Sequence, residues 1–180
     1  MKSPPQKVMA EGKFLRLISA GHWEYAERNS CTGAVTIVAV TQQEELLLVE
    51  QYRIPMQHNV IELPAGLAGD IPGEEHEALA TAAQRELEEE TGYHADHLIW
   101  LTSGPTTPGL SNETVAFFLA TNLTKTGDGG GDASEQIIVH HVPIASAHHW
   151  LTERAAGGTL IDPKIYAGLF FWQNRKSLSE

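Results

Sequence analysis

A run of acidic residues in the middle of the chain, RELEEETGY at positions 85–93, carries the side chains best suited to chemistry. If the run is helical, residues three and four positions apart share a face, so Glu86, Glu89 and Glu90 stand together. Glu88 points to the opposite side. Like charges at this spacing cost about 0.2–0.5 kcal/mol per pair, and near the end of a helix they also oppose the helix dipole. Local physics therefore disfavours the cluster unless something neutralises it.

The glutamates on this face match the requirements of a divalent cation. Three carboxylates on one turn offer the hard oxygen ligands that Mg²⁺ or Mn²⁺ prefers. They follow a Pro/Gly loop whose carbonyls can point the same way. Arg85 lies four residues before Glu89 and can orient it through a charge-assisted hydrogen bond. The alternative is a solvated acidic face, which a bare glutamate run usually forms.

The composition is that of an ordinary soluble globular protein. The 180 residues, 42% hydrophobic and 19% charged, are enough for one domain with a core. The net charge of −11 argues against nucleic-acid binding, which depends on lysine and arginine, and means that an anionic substrate would need metal ions. The sequence contains no run of 18 or more apolar residues, so no membrane span is predicted. The first residues, MKSPPQKVMAEGK, lack the apolar stretch of a signal peptide. The single cysteine, Cys31, excludes an intramolecular disulfide, and the cytoplasm is the predicted compartment.

The elements that must position the glutamates begin with strands. KFLRLISA and HWEYAERN predict a hairpin around Gly21, within an N-terminal segment at 1–30 that precedes a main domain at 31–180. The apolar runs at 34–40 and 45–52 predict strands that pair with each other.

The glutamates themselves end a predicted helix, EEHEALATAAQRELEEETG, of four to five turns, which acidic residues open and Gly92 ends. Strands are predicted before it in IELPAG and after it in HLIWLTS, ETVAFFLATNL and IIVHHVP. A glycine-rich acidic stretch at 124–135 predicts a mobile loop, and helices near 144–155 and 163–176 finish the chain. Because strands and helices mix without strict βαβ alternation, we expect an α/β sandwich around a mixed β-sheet.

RELEEETGY resembles the second half of the Nudix box, G-x5-E-x7-R-E-U-x-E-E-x-G-U, in which U is a bulky apolar residue. The residues that fit are Arg85, Glu86, Leu87, Glu89, Glu90, Gly92 and Tyr93. Glu77 also stands at the required spacing, but Ile71 occupies the position of the leading glycine. Gly66 is the natural match for that glycine and leaves five extra residues in the loop before the helix. The role of Glu77 therefore stays open, with Glu74 or Glu75 as substitutes.

Similarity to this family implies a Nudix-type α/β/α sandwich with the small N-terminal hairpin added to it. It also implies that the carbonyl of Ala65 and the carboxylates of Glu86, Glu89 and Glu90 bind Mg²⁺, with Mn²⁺ as the alternative. Arg85 would then serve catalysis by orienting the metal-binding carboxylates.

The resemblance narrows toward the ADP-ribose pyrophosphatase branch of the family. VEQYRIPMQHNVIELPAG is similar to the segment before the box in that branch, which implies that Arg53 contacts the substrate. TTPGLSNE is similar to the branch's S-P-G-x-S-x-E loop, which implies substrate contacts for Pro108, Gly109 and Glu113. Pro108 lies 16 residues after Gly92, a spacing associated in that branch with ADP-ribose. The alternatives are a surface ion pair at Arg53 and a plain turn at Pro108.

HWEYAER is similar to a W-E-x-x-x-R stretch of the same branch. The similarity implies that Trp23 stacks on adenine and that Arg28 grips the ligand, often across a dimer interface. The alternative for Trp23 is packing within the hairpin. Because a two-stranded ribbon is marginal in water, the apolar hairpin residues need a partner surface, and we expect a homodimer that brings Trp23 and Arg28 near the partner's Arg53.

The base that activates water is assigned by the resemblance alone. In that branch it often lies in the acidic loop before a strand similar to IIVHHV, which implies Glu135. One alternative makes Glu135 a metal ligand and Asp132 or a box glutamate the base, and another makes Glu135 a solvated charge of the loop. The pairs His140-His141 and His148-His149 do not predict a zinc site, because adjacent residues in a strand or helix point in different directions.

These inferences together predict a Mg²⁺-dependent enzyme that hydrolyses the diphosphate of a nucleoside diphosphate sugar, with ADP-ribose giving AMP and ribose 5-phosphate. One alternative is a Nudix enzyme for GDP-mannose, dinucleoside polyphosphates or oxidised nucleoside triphosphates. The other is a non-catalytic sensor that binds ADP-ribose, and the complete R-E-x-x-E-E set argues against it.

Overall fold

The computed structural model describes residues 4–29, 31–131 and 136–178. Its N-terminal part is an antiparallel sheet of three strands in the order β1 (Gln6–Glu11), β2 (Leu15–Ala20) and β3 (Trp23–Arg28). The predicted hairpin is the pair β2–β3. The sequence did not predict β1, because its residues are exposed throughout and no apolar alternation marks it.

The following residues form two mixed sheets of four strands each. The strands are β4 (Gly33–Ala39), β5 (Glu45–Arg53), β6 (His58–Glu62), β7 (Ala65–Ala68), β8 (Tyr93–Pro105), β9 (Thr114–Lys125), β10 (Ile138–Pro143) and β11 (Leu160–Ile161). One sheet has the order β7-β4-β9-β8 and the other the order β10-β5-β6-β11. β4 runs parallel to β9 and β6 to β11, while the other neighbours are antiparallel.

Helices cover both faces of these sheets. They are α1 (Leu79–Thr91), α2 (Ala147–Ala156) and α3 (Lys164–Gln173), with 3₁₀ helices at Ile144–Ser146 and Arg175–Leu178. Alternate residues of β4 face two cores: Val35 and Ile37 pack with α1, whereas Val38 packs with α2 and α3. This arrangement confirms the predicted α/β/α sandwich. Within the described ranges, no helix has the length and apolar character needed to cross a membrane.

The predicted pairing of the runs at 34–40 and 45–52 is wrong. They become β4 and β5, which lie in different sheets and meet at their ends through a bridge between Val40 and Leu46. Most residues of both strands are buried, so the apolar runs carry no information about which neighbour each strand takes.

The glutamate helix is shorter than predicted. α1 begins at Leu79 and has no acidic residue in its first turn. The preceding residues form turns, in which the amide of Glu74 donates to the carbonyl of Ile71 and the amide of Glu77 to the carbonyl of Glu74. Gly92 ends the helix with φ of +74°, which confirms the predicted glycine stop.

Candidate active site

One cavity of about 380 Å³ gathers half of the predicted site residues. Residues of β4, β7 and α1 line it, Ala65 and Gly66 among them. Its charged lining consists of Arg28, Arg53, Glu62, Asp70, Glu86, Glu90, Glu113, Asp162 and Lys164. Acidic and basic side chains therefore face the same space.

Glu86 lies against the backbone of β7. A Cβ atom on Gly66 would lie 2.5 Å from Glu86 Cγ and closer still to the carboxyl group, so only glycine leaves room for this side chain. The side chain is 13% exposed. Burial raises the pKa of Glu86 to about 7, although the adjacent Arg85 guanidinium acts in the opposite direction.

Glu90 is buried one turn farther along the same helix face. Its Oε2 atom accepts a hydrogen bond of 3.0 Å from the backbone amide of Ala65. This bond ties the end of α1 to the start of β7. It engages the amide of Ala65, while the role of the Ala65 carbonyl as a metal ligand stays a prediction.

Arg85 connects two of the helix carboxylates, Glu86 and Glu89. Its Nη1 atom donates to Glu86 Oε1 at 2.9 Å and to Glu89 Oε2 at 3.2 Å. Its Nη2 atom donates to the carbonyl of Leu67 at 2.9 Å, which fixes the guanidinium to β7. Because one nitrogen serves two carboxylates, Arg85 orients both, and it neutralises neither of them completely.

Glu77 is the residue that holds Arg85. Its two carboxylate oxygens each accept a hydrogen bond of 3.2 Å from the guanidinium, and Oε2 also accepts the amide of Gly69 at 3.3 Å. The side chain is 3% exposed, and the hydrogen bond from Arg85 lowers the pKa of Glu77. Glu75 instead accepts the amide of Gly73, so the turns of the insertion bring Glu77 to Arg85.

Glu89 lies apart from the other two carboxylates. It is 52% exposed and lines a separate depression with Gln84 and Glu88, although Arg85 links it to Glu86. In the described part of the chain, no three His, Cys, Asp or Glu side chains stand ready to hold an ion. Arg85 therefore bonds two of the four predicted ligands, Glu86 and Glu89, whereas Glu90 is bonded to the amide of Ala65.

The predicted substrate-binding arginines both reach the cavity and both are paired. Arg53 Nε donates to Glu62 Oε2 at 2.7 Å, and Arg28 Nε donates to Glu113 Oε1 at 2.5 Å. Each pair lines the cavity as a unit, which aims the guanidinium while leaving further donors on it.

Trp23, Pro108 and Gly109 come together in a different recess. This recess of about 360 Å³ also includes Tyr25 and Asn112. Trp23 is 53% exposed, so it is not packed inside the hairpin. A hydrogen bond of 2.6 Å from Asn112 to Glu27 joins the loop to β3 near the cavity. The structure thus divides the predicted substrate contacts between two neighbouring recesses.

A third recess of about 500 Å³ adjoins the charged cavity and shares Arg53, Glu62 and Asp162 with it. Its remaining lining is apolar and consists of Pro55, Met56, Val60, Leu160, Ile161 and Pro163. The charged cavity therefore continues directly into an apolar one.

Two predicted candidates for the base, Glu135 and Asp132, lie outside the described residues. The histidines of the pair in β10 contact different carboxylates, since His140 Nε2 lies 2.8 Å from Glu50 and His141 Nδ1 lies 3.4 Å from Glu45.

Sequence reasoning missed four charged residues of the cavity, Glu62, Asp70, Asp162 and Lys164. Asp70 lies in the insertion, 3.7 Å from Arg85 Nη2, and its position soon after Gly66 was the signal that could have identified it. Lys164 begins α3 and pairs with Asp162. No local pattern marks Lys164, because it reaches the cavity only through the packing of β11 beside β6.

Comparisons with known proteins identify a family that this chain matches. The family model described as NUDIX domain matches residues 32–164. The methanol dehydrogenase activator of Bacillus methanolicus is 34% identical over 147 residues, which cover 81% of this chain and 75% of that protein. The ADP-ribose pyrophosphatase of Bacillus subtilis (strain 168) is 44% identical over 92 residues, covering 51% of this chain and 47% of that protein. The ADP-ribose pyrophosphatase of Mycobacterium tuberculosis (strain ATCC 25618 / H37Rv) is 35% identical over 138 residues, 76% of this chain and 63% of that protein.

A solved structure described as an ADP compounds hydrolase has the same fold. It superposes with a TM-score of 0.74 and covers 99% of this chain and 95% of its own, at 19% sequence identity.

Proposed function

The chain belongs to the NUDIX family, and on that premise we propose that it hydrolyses the diphosphate of a nucleoside diphosphate sugar, with ADP-ribose giving AMP and ribose 5-phosphate. Relatives named ADP-ribose pyrophosphatase and ADP-sugar pyrophosphatase support this substrate class. The chain spans about half of the first of these relatives and less than two thirds of the other two.

The proposal rests on one observation, that acidic and basic side chains line the same cavity. Glu86 and Glu90 line it from α1, while Arg28 and Arg53 line it from β3 and β5. A diphosphate is anionic, so its oxygens suit the two guanidinium groups, and metal ions must separate it from the carboxylates. The adjoining apolar recess leaves room for one end of a substrate with a group on each side of the diphosphate.

The donor set at the box fits a divalent cation. Glu86 is largely enclosed beside Gly66, its pKa is raised to about 7, and Arg85 also donates hydrogen bonds to Glu77 and Glu89. The cationic side chains of the protein therefore do not fully balance the negative charge of the carboxylates, whose oxygens are hard ligands. Nudix hydrolases generally use a divalent metal, and we propose Mg²⁺, with Mn²⁺ as a substitute.

Glu86, Glu89, Glu90 and the carbonyl of Ala65 would hold the ions. Bound there, Mg²⁺ would neutralise charge on the diphosphate and lower the pKa of a water molecule. Arg85 holds Glu86 and Glu89 in orientation through Nη1.

The remaining roles fall to residues that bind substrate or move a proton. Arg28 and Arg53, each aimed by a paired glutamate, bind phosphate or ribose oxygens. We keep Glu135 as the proposed base that takes the proton from water, with Asp132 or a box glutamate as the alternative.

Trp23 and Tyr25 offer aromatic faces on which an adenine ring can stack, with Pro108 and Gly109 beside them. The N-terminal sheet also exposes Val8, Met9, Phe14, Leu15 and Leu17. Such an exposed apolar surface supports the proposed homodimer, in which a second copy of the chain would cover it. Arg28 already lines the cavity beside Arg53 of its own chain, so it does not depend on the partner for that position. A cytoplasmic location stays a prediction.

A substrate panel tests the proposal. The purified protein is incubated with Mg²⁺ and ADP-ribose, GDP-mannose, a dinucleoside polyphosphate or an oxidised nucleoside triphosphate, and products are identified by mass spectrometry. We expect AMP and ribose 5-phosphate from ADP-ribose at the highest kcat/KM, and loss of turnover without the cation. Faster turnover of another nucleotide would show that ADP-ribose is not the preferred substrate. Tight ADP-ribose binding without any turnover would show that the protein is a sensor and not an enzyme.

A further inference from the structure

A segment outside α1 completes the hydrogen bonding at its C-terminal end. Residues 126–131, which we call the glycine clasp, lie against the last turn of the helix. The amide of Gly131 donates to the carbonyl of Glu89 at 3.0 Å, and the amide of Gly130 donates to the carbonyl of Glu90 at 2.9 Å. The last carbonyls of a helix have no partner within the helix. Two of them, on the very residues predicted to hold metal, are therefore bonded by the clasp.

The clasp continues past the end of the helix. The amides of Thr126 and Gly127 both donate to the carbonyl of Gly92, at 2.8 and 3.1 Å. The hydroxyl of Thr126 donates to the same carbonyl at 3.3 Å. The helix end is thus fixed over its last turn and its stop residue.

Close packing explains why this segment is rich in glycine. A Cβ atom on Gly129 would lie 2.5 Å from the carbonyl carbon of Thr91 and 2.7 Å from the carbonyl oxygen of Glu90. Both are backbone atoms of the helix, so they cannot rotate away. Gly129 also has φ of +70°, and the next two glycines have φ of +105° and +78°, a conformation that other residues rarely adopt.

The side chains of Glu89 and Glu90 depend on this end of the helix for their directions. Glu90 reaches the amide of Ala65 and Glu89 reaches Arg85 only while the last turn keeps its helical shape. Helix ends without partners fray. A displacement of about 1 Å in a catalytic group can cost about 10²-fold in rate.

We propose that the glycine clasp is a positioning device for the active site, which holds the last turn of α1 so that Glu89 and Glu90 point at the bound cation. This inference rests on the proposed function, because it assumes that these carboxylates hold a divalent cation. The competing explanation is that the clasp only stabilises the fold. The two explanations differ in whether cation affinity changes when the clasp is disturbed.

The test compares two alanine substitutions in the clasp. Gly129→Ala places a Cβ against the helix backbone. Gly127→Ala is the matched control, because its Cβ would meet nothing within 4 Å and its φ lies outside the left-handed region. For each variant, Mn²⁺ and Mg²⁺ binding is measured by calorimetry without substrate, together with kcat and KM for ADP-ribose and the thermal midpoint Tm.

We expect Gly129→Ala to weaken cation binding about tenfold or more and to lower kcat about 10²-fold, because both follow from misdirected ligands. KM should stay within about threefold, since the arginines and Trp23 lie on other elements. Gly127→Ala should match the wild type in all measurements.

A Gly129→Ala variant with a lower Tm but unchanged cation affinity and kcat would overturn the inference and leave the clasp a stabilising cap. If that variant does not fold, Gly130→Ala takes its place, because it strains φ without a steric clash, and the same criteria apply. A wild-type protein that binds no divalent cation would overturn the proposed function and this inference with it. Normal wild-type binding with a normal variant would overturn this inference alone.

Discussion

Replacing Gly66 with alanine should displace the Glu86 side chain while leaving the stability of the fold nearly unchanged. Gly66 lies in β7 opposite Val35, and a Cβ there would lie 2.5 Å from Glu86 Cγ. Carbon atoms in contact are usually about 3.5–4.0 Å apart, so the Glu86 side chain has to move by at least about 1 Å. Mg²⁺ holds its oxygen ligands at about 2.0–2.1 Å in near-ideal octahedral geometry, so such a shift removes Glu86 from coordination.

The expected loss in kcat for Gly66→Ala is about 10²-fold, equivalent to about 2.7 kcal/mol of transition-state stabilisation. The fold should tolerate the change, because the added methyl meets the flexible end of a side chain. Alanine in a strand also loses less backbone entropy than glycine, by about 0.5–1 kcal/mol. We therefore expect the free energy of unfolding to change by less than about 1 kcal/mol.

The assay is the initial rate of ADP-ribose hydrolysis at saturating Mg²⁺, with urea unfolding of the same preparations. Gly104→Ala in β8 is the control, since its Cβ would meet nothing within 4 Å. The double variant Gly66→Ala with Glu86→Gln should be no slower than Glu86→Gln alone, because both changes act on the same ligand. A kcat for Gly66→Ala within about threefold of wild type, or additive losses in the double variant, would refute Glu86 as a ligand in its observed place.

Four further variants and conditions test other parts of the site. Glu90→Gln should lower kcat by about 10²-fold or more with the fold intact, as circular dichroism would verify, and a near-normal rate would exclude it as a principal ligand. Glu135→Gln should lower kcat at constant KM if Glu135 is the base, while an altered Mg²⁺ dependence would make it a ligand instead. Trp23→Ala should raise KM for ADP-ribose more than it lowers kcat, since stacking lies far from the reacting phosphorus, and an unchanged KM would mean that Trp23 does not bind substrate. Because Arg85 lowers the pKa of Glu77, that carboxylate stabilises the fold above its unfolded pKa, and the contribution is lost as pH falls through the lower folded pKa. Glu77→Gln should therefore reduce the free energy of unfolding at neutral pH by about 1–3 kcal/mol and flatten its decline in acid, and parallel pH profiles in urea unfolding would contradict this role.

Most of what the sequence predicts about the site comes from the order of residues within the box. Helical spacing alone predicts Glu86, Glu89 and Glu90 on one face and Arg85 within reach of Glu89. The structure has the hydrogen bond from Arg85 to Glu89 and places Glu86 and Glu90 in one cavity, but Glu89 lines a separate depression. The Nudix fold and family that the box predicts are confirmed by the comparisons. Local spacing succeeds here because a single helix sets the geometry.

Features that depend on how separate elements meet could not be predicted in the same way. Counting residues across the insertion left Glu77 undecided, because only folded turns show that its carboxylate returns to Arg85 and the Gly69 amide. Lys164 reaches the cavity through a two-stranded parallel contact far along the chain. The acidic stretch at 124–135 was expected to be a mobile loop; its residues 132–135 lie outside the described ones, whereas Gly129 packs against α1 and Gly130 donates a hydrogen bond to it. Glycine frequency indicates flexibility in an isolated chain, but it also permits the close backbone contact found here.

The charge repulsion that marks the box in the sequence persists in the folded protein. Arg85 shares its donors among Glu77, Glu86 and Glu89, so the balance at Glu86 is incomplete, and burial raises its pKa to about 7. A group whose pKa is higher in the folded state binds a proton more tightly there, so its contribution to stability falls as pH rises from its unfolded pKa to about 7. A cation that replaces that proton reverses the penalty, and its binding free energy adds to folding because the unfolded chain has no such site. The cluster is therefore costly in the free protein for the same reason that it suits a metal-dependent hydrolase.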